Sequence, residues 1–228
     1  MSESRDIPLF PLGTVLFPHQ LLPLRIFEER YKLMIGECLR DQTSFGVVLI
    51  KDGREVGGLA VPHEIGTMAR IVDAQRLEQG RINLKAIGER TFRLVRVTQQ
   101  QPYMRAEVEF LDQREEESPG LDVVIASVKE HFSTHLDILS QLSDRKRVEL
   151  NLDLDAESLS YLVAGVLAIE NLEKQQLLEV ARTDDRLQRE LSFLNRENRT
   201  LQTFLYLRKR AREAPPDQTS LANRISPN

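Results

Sequence analysis

The feature that most constrains this chain is its opening stretch, residues 7–26, which reads IPLFPLGTVLFPHQLLPLRI. Four prolines interrupt runs of apolar residues there. Because proline has no backbone N–H to donate to a sheet, strands formed here must be short, bent or at a sheet edge. We therefore predict short strands near residues 6–10, 14–17 and 21–26, connected by turns.

A single amphipathic helix is predicted next, over residues 27–41. Apolar side chains recur there at helical spacing, with charged residues between them: Phe27, Tyr31, Met34, Ile35 and Cys38. One face of this helix should therefore cover a core.

From residue 44 to 111 the sequence alternates between apolar and polar residues, which is typical of strands. Short turn sequences separate the segments SFGVVLI, GTMARIVDAQRL, RINLKAIG, RTFRLVRV and YMRAEVEFL. Short connections favour antiparallel pairing, and closure of the sheet would hide its edges. We predict a small, partly closed barrel with one packed helix.

The sequence beyond residue 117 is predicted to be helical. Ser118 and Asp155 are the expected N-caps of two helices, and helices are predicted over 119–141, 144–151, 156–169, 171–181 and 183–212. The predicted class is thus α+β. Its parts are a β-rich domain (1–117), a helical bundle ending in a long helix (118–213) and a polar, disordered tail (214–228).

The composition predicts a soluble cytoplasmic protein. The 228 residues carry a net charge of −4, which does not suggest a nucleic-acid binder driven by bulk charge. The lone cysteine, Cys38, excludes a disulfide within the chain. No apolar run is long enough for a membrane span, and the N-terminus lacks the apolar core of a signal peptide.

Sequence motifs for common chemistry are absent. There is no Gly-Lys pair, hence no phosphate-binding loop of the GxxxxGK[ST] type, and no G-x-G-x-x-G or G-x-S-x-G. His131 and His135 lie four residues apart on a predicted helix, but Phe132 stands where a zinc protease needs glutamate. We predict no catalytic site, no metal and no cofactor.

Basic residues are frequent on the strands between 76 and 105: Arg76, Arg81, Lys85, Arg90, Arg93, Arg96 and Arg105. A small barrel with such a face could contact RNA phosphates. Acidic residues lie in the same strands, however, so cross-strand ion pairs are the simpler explanation. Aromatic side chains that could stack on bases are few.

The last helix carries a heptad pattern. Its core positions step alternately by four and three residues: Leu187, Leu191, Leu194, Asn198, Leu201 and Leu205. This seam can cover the core of the helical domain, or it can pair with a second copy or a partner in a coiled coil. We favour packing within the chain, because Phe193 and Phe204 widen the apolar face.

Four stretches resemble the N-terminal domain of Lon proteases. They read IPLFPLGTVLFPHQLLPLRIFEERY, EIGTMARIVDAQRLEQGRINLKAIGERTFRLVRV, QPYMRAEVEFL and NLEKQQLLEVARTDDRLQRELSFL, and together they span about residues 6–207. The resemblance implies a β-rich subdomain of the PUA-like barrel type with one packed helix, then a helical bundle. It also implies a role in engaging substrate proteins. The ATPase and Ser-Lys protease domains of Lon proteases are expected to be missing here.

The opening stretch has more apolar side chains than one inward face can bury. We hypothesise that its loop lines a groove for apolar segments of other proteins, with candidate residues Phe17, Pro18, His19, Leu21, Leu22 and Pro23. The alternative is that these side chains are buried beneath the helix predicted at 27–41.

The predicted function is that of a non-enzymatic module that binds unfolded or client proteins. A separate ATP-dependent protease is an expected partner, and a homodimer through the last helix is a further expectation. Two alternatives stay open: an RNA-binding PUA-like protein using the basic strands, and a regulatory domain with a small-ligand pocket between the two domains.

Overall fold

The computed structural model describes residues 4–55, 60–111, 119–143 and 150–213. Within these residues the N-terminal part has six strands and one α-helix: β1 (Ser4–Leu12), β2 (Leu21–Ile26), α1 (Glu29–Asp41), β3 (Phe45–Gly53), β4 (Ala60–Arg76), β5 (Ile82–Gln99) and β6 (Arg105–Phe110). The C-terminal part contributes α2 (Leu121–Ser143), α3 (Ala156–Val166), α4 (Asn171–Leu178) and α5 (Thr183–Glu213). The predicted α+β class and the long last helix are confirmed.

The strands form one sheet in the order β2-β5-β4-β3-β1-β6, and β5 pairs with β6 as well. This extra pairing curls the sheet into a partial ring, whereas the sequence predicted a partly closed barrel. The sheet curls in this way because β1 and β5 each change pairing partners along their length. β5 pairs with β2 through residues 82–87 and with β6 through 92–99. β1 pairs with β6 through residues 4–8 and with β3 through 9–12.

Most strand pairs are antiparallel, as predicted, but β1 and β3 are parallel. Parallel neighbours need a connection that returns the chain to the same end of the sheet. Here β2 and α1 together make that connection. The expectation of antiparallel pairing came from the short turns further along the chain, and it does not apply to this longer crossover.

The strand predicted near 14–17 does not form. Residues 15–17 are irregular backbone, and Phe17 donates its N–H to Oε1 of Gln20 at 3.1 Å instead of to a neighbouring strand. The side chains of Val15 and Phe17 are buried among residues of the helical part. The apolar character of this segment therefore reflects burial without sheet pairing.

The helices agree with the sequence at their starts better than at their ends. Asp155 caps α3 as expected, because its carboxylate accepts the N–H of Ser158 at 2.8 Å. α3 and α4 each end three residues before the predicted end. The predicted cap at Ser118, most of the predicted helix 144–151 and the tail 214–228 lie outside the described residues. In the part of the chain described, no helix has the length and apolarity to cross a membrane.

One core connects the β-rich and helical parts. Its buried residues come from the opening loop, from β3 and β4, and from all four C-terminal helices. Polar contacts cross the same boundary: Nε2 of Gln175 in α4 donates to the carbonyl of Ile65 in β4 at 3.0 Å. Asn171 donates to the carbonyl of Gly13 at 2.6 Å. The opening loop is thus held by both parts.

Candidate polypeptide-binding surface

The first part of the predicted groove is buried. Phe17 is 0% exposed and its ring lies 6.3 Å from that of Tyr161 in α3. Pro18 is buried as well. Burial raises the pKa of Tyr161 to about 12, as expected for a phenol taken out of water. Phe17 and Pro18 therefore cannot contact a client, and the helix that covers Phe17 is α3 and not the predicted one at 27–41.

The backbone around Phe17 is held tightly. Oγ1 of Thr67 in β4 donates to the carbonyl of Leu16 at 2.6 Å. A Cβ placed on Gly88 of β5 would lie 2.2 Å from the carbonyl oxygen of Phe17. Only glycine allows the loop to approach the sheet this closely. The loop at 15–18, which we call the clamp, is therefore a fixed structural element.

The second part of the predicted groove reaches the surface. His19 is exposed, with a left-handed φ of 64°. Leu21 is 51% exposed and Pro23 is exposed, whereas Leu22 is half-buried and packs on the core beneath α1. The alternation is that of a strand with one covered face. Of the six candidate residues, the exposed ones are His19, Leu21 and Pro23.

Further apolar side chains extend this exposed face. Leu21 is paired with Ile87 of β5, which is half-buried. Val72 of β4 is 42% exposed, and Phe27, which follows β2, is 51% exposed. We call Leu21, Pro23, Phe27, Val72 and Ile87 the β2 surface. These side chains are spread along the sheet, because Leu21 and Phe27 are six residues, or about 20 Å, apart in extended backbone. The exposed Arg25 lies on the same face between Pro23 and Phe27.

The backbone of β2 faces open space on one side. Among the described strands β2 pairs only with β5. The N–H of Gly88 donates to the carbonyl of Gln20 at 3.0 Å, so by antiparallel alternation Leu21, Pro23 and Arg25 direct their backbone groups away from β5. Pro23 thus has its missing N–H at the outer edge, where no sheet hydrogen bond is lost.

Two basic side chains beside the β2 surface are in ion pairs. Lys85, which is opposite Pro23, contacts Asp73 of β4 at 3.0 Å. Arg70, opposite Ile87, contacts Glu89 at 2.7 Å. These exposed ion pairs contribute little stability, but they offset the charges nearest Leu21 and Ile87.

Ion pairs with acidic residues, the simpler explanation for the basic strands, form at three of the seven basic positions. Lys85, Arg96 and Arg105 form ion pairs with Asp73, Glu107 and Asp6, at 3.0, 2.7 and 2.6 Å. The guanidinium of Arg90 lies 4.6 Å from the centre of the Phe110 ring. No specific observation favours the RNA-binding alternative.

The predicted heptad seam of α5 packs within the chain along most of its length. Leu187 and Leu194 are 0% exposed, and Asn198 is 6% exposed. Leu191, Leu201 and Leu205 are half-buried. Phe204, Tyr206 and Leu207 near the end of α5 are more exposed. The expectation that Phe204 widens the packed face is therefore wrong.

Asn198 serves as a polar contact between α2 and α5. Its Oδ1 lies 2.8 Å from Nδ1 of His135, and its Nδ2 donates to the carbonyl of His131 at 2.9 Å. The ring of His131 contacts the carbonyl of Ser127 instead. The ring of His135 and the backbone of His131 therefore take part in the contact between α2 and α5. Within the described residues no group of three or more histidine, cysteine or acidic side chains could hold a metal.

A buried polar network lies elsewhere in the helical part. Arg186 and Glu190 of α5 are both 0% exposed. Nε of Arg186 donates to Oγ of Ser160 at 2.6 Å, and this hydroxyl donates to Oε1 of Glu190 at 2.7 Å. Burial raises the pKa of Glu190 to about 8. No sequence pattern identified this pair, since a charged residue four positions from another is ordinarily on a solvated helix face.

A cleft of about 520 Å³ lies within the β-rich part, between β1, β6 and the end of α1. The small-ligand alternative placed a pocket between the two domains, where the structure has the shared core instead. Arg5, Arg90 and Arg105 line the cleft together with Asp6 and, among others, the acidic residues Glu37, Asp41 and Glu89. This mixture of charges selects no ligand class.

The sequence missed Phe27, Val72 and Ile87. Phe27 was assigned to the buried face of a helix, but α1 begins at Glu29 and leaves Phe27 before it. Val72 and Ile87 join the surface only through the pairing of β2, β5 and β4. A strict alternation count along β5 would have marked Ile87 as facing away from the core, because its neighbours Ala86 and Gly88 are buried.

Comparison with known proteins agrees with this architecture. A family model described as the ATP-dependent protease La (LON) substrate-binding domain matches residues 6–196. A crystal structure of a Lon N-terminal domain protein from Xanthomonas campestris is 27% identical, with a TM-score of 0.62, and is covered over 98% of its length and 82% of this chain. The N-terminal domain of a Mycobacterium avium complex Lon protease, at 17% identity, has the same fold with a TM-score of 0.62 over 84% of this chain and 98% of that one.

Complete Lon proteases are also similar to this chain. The Lon protease of Azospirillum brasilense is 23% identical over 207 residues, which cover 90% of this chain and 26% of the relative. Lon protease 2 of Myxococcus xanthus is 26% identical over 198 residues, or 86% of this chain and 24% of the relative. The chain thus spans about a quarter of the length of the curated relatives it matches.

Proposed function

The chain belongs to the family of Lon substrate-binding domains, and from that premise we propose that it binds apolar segments of unfolded or client proteins at the β2 surface. The observation that carries the proposal is the exposure of Leu21 and Phe27, each 51%, beside an edge strand whose outer backbone has no strand partner among the described residues. An extended client segment would find hydrogen-bonding groups and apolar contacts at the same place.

The binding mode follows from the arrangement of β2. The N–H groups of Leu21 and Arg25 and three carbonyls point outward, so a client strand can pair on either side of Pro23. Pro23 itself offers no N–H there, which prevents long, uninterrupted pairing and hence aggregation through this edge. Short apolar segments are therefore the expected clients, and they would bind without a required sequence because backbone groups supply much of the contact.

The proposed role is binding and not catalysis. The sequence has no nucleotide-binding or nucleophile motif, so ATP hydrolysis and peptide cleavage are assigned to a separate ATP-dependent protease that would receive the client. The place of action proposed for this pair is the cytoplasm.

The test uses a fluorescently labelled, reduced and carboxymethylated α-lactalbumin as a permanently unfolded client, with binding measured by fluorescence anisotropy. The double variant Leu21→Ser/Phe27→Ser should weaken binding by about tenfold or more, as for the central residues of a binding site. A matched control is Leu172→Ser on α4, where the leucine is 58% exposed; binding should be unchanged.

Circular dichroism must show that each variant retains the wild-type fold. The proposal fails if the folded double variant binds the client as well as the wild type does. It also fails if affinity falls steeply with added salt, because binding through apolar contacts and backbone hydrogen bonds should depend weakly on ionic strength.

A further inference from the structure

The end of α5 carries a second apolar stripe that is exposed in the described part of the chain. Thr200, Phe204, Leu207 and Ala211 step by four, three and four residues, and all four are exposed. Phe204 is 59% and Leu207 is 53% exposed. This spacing is that of a coiled-coil seam, so the shape that fits the stripe is another helix.

This stripe differs from the one that packs on α2. Arg208 donates to the carbonyl of Leu142 and so marks the inward side of α5. Leu201 and Leu205 are half-buried on that side. At 100° per residue, Phe204 and Leu207 are turned away from Leu205 by about 100° and 160°. The residues matched by the family model end at 196, so the stripe lies beyond them.

The charges around the stripe are predominantly positive. Residues 199–213 contain five basic side chains and one acidic side chain, although the whole chain has a net charge of −4. With Phe204 and Leu207 at the two core positions of a heptad, Arg210 is exposed at a flanking position. Arg208, on the other flank, donates to the carbonyl of Leu142. Residues at flanking positions help to choose a coiled-coil partner by charge.

We propose that the Thr200–Ala211 stripe docks an amphipathic helix of another protein whose apolar seam is bordered by aspartate or glutamate. A second copy of this chain is disfavoured as the occupant, because it would bring two copies of residues 199–213 together, each with five basic side chains and one acidic side chain. Like charges along a helix pair oppose pairing. The proposal concerns a surface separate from the β2 surface and does not depend on client binding there.

The test uses two synthetic peptides of about three heptads with leucine at the core positions. One has glutamate at the flanking positions and the other has lysine. Anisotropy should show binding of the glutamate peptide alone. Phe204→Ser/Leu207→Ser and Arg210→Glu should each weaken this binding by about tenfold or more. Tyr206→Ser is the matched control, because Tyr206 is also 59% exposed but lies on another side of the helix.

Several results would overturn the proposal. One is the absence of binding, or equal binding of the two peptides; another is an effect of Tyr206→Ser as large as that of the double variant. Light scattering would also overturn it if the wild type is a dimer that Phe204→Ser/Leu207→Ser converts to a monomer. The proposal would also be overturned if the protein binds a single-stranded RNA oligomer and this binding is lost in Arg210→Glu but kept in Phe204→Ser/Leu207→Ser. Binding of carboxymethylated α-lactalbumin should be the same in all these variants, which separates this test from that of the β2 surface.

Discussion

Replacement of Phe17 by alanine should unfold this protein far more readily than replacement of the neighbouring Leu21. Phe17 is 0% exposed and contacts the helical core, whereas Leu21 is 51% exposed. Phe→Ala in a core typically costs about 3–5 kcal/mol, from lost burial and from the cavity left behind. An exposed Leu→Ala change usually stays within about 0.5 kcal/mol. The difference between the two variants should therefore exceed about 2 kcal/mol.

That loss is large against the whole stability of a domain, which is commonly about 5–15 kcal/mol. The side chain also lies in the core that connects the two parts of the chain, so both should be affected together. Phe17→Leu retains much of the apolar volume and should recover more than half of the loss.

Urea denaturation followed by circular dichroism is the suitable assay, since the chain has no tryptophan to report by fluorescence. We expect the midpoint to fall strongly for Phe17→Ala, partly for Phe17→Leu and hardly for Leu21→Ala, with one cooperative transition in each case. A loss below about 1 kcal/mol for Phe17→Ala, which surface substitutions rarely exceed, would refute the assignment of Phe17 to the shared core.

Three further changes test other parts of the structure. Because the folded pKa of Glu190 is raised to about 8 from its ordinary 4.5, its contribution to stability is full below pH 4.5 and is lost as the pH rises through about 8. Glu190→Gln should flatten this pH dependence in urea denaturation, and an unchanged slope would contradict the assignment. Gly88→Ala would place a Cβ 2.2 Å from the carbonyl of Phe17, so thermal unfolding should show a loss of about 1–3 kcal/mol. Asp155→Ala removes the cap of α3 and should cost about 1 kcal/mol, while Asp155→Ser should retain most of it; equal losses in the two would show that the cap is unimportant.

The fold could be predicted where the signal lies within one segment. Helical spacing identified α1 and α5, and a side-chain cap placed the start of α3 at Ala156. Strand alternation located the stretch that became β4. It wrongly divided β5 into two strands with a turn between them, whereas Ile82–Gln99 is one continuous strand. Each of these signals depends on residues a few positions apart, which is the range over which sequence patterns act.

Features that depend on distant residues could not be predicted in this way. The clamp is irregular because Val15 and Phe17 pack on helices that lie more than a hundred residues further along the chain. The change of partner along β1 and β5 likewise depends on how the whole sheet curls. For the same reason the candidate set at 17–23 contained both buried and exposed side chains.

If β2 binds clients as proposed, the opening stretch has two roles that explain its unusual composition. Its clamp segment is buried between sheet and helices, and the strand that follows presents apolar side chains to solvent only a few residues later. An exposed apolar strand binds best when it loses little freedom on binding. The burial of Pro18 and the restricted backbone of Pro23 lower that freedom before any client arrives. On the proposed function, the prolines and apolar residues are thus needed together: the buried ones fix the position of β2, and this would make the exposed ones usable as a binding surface.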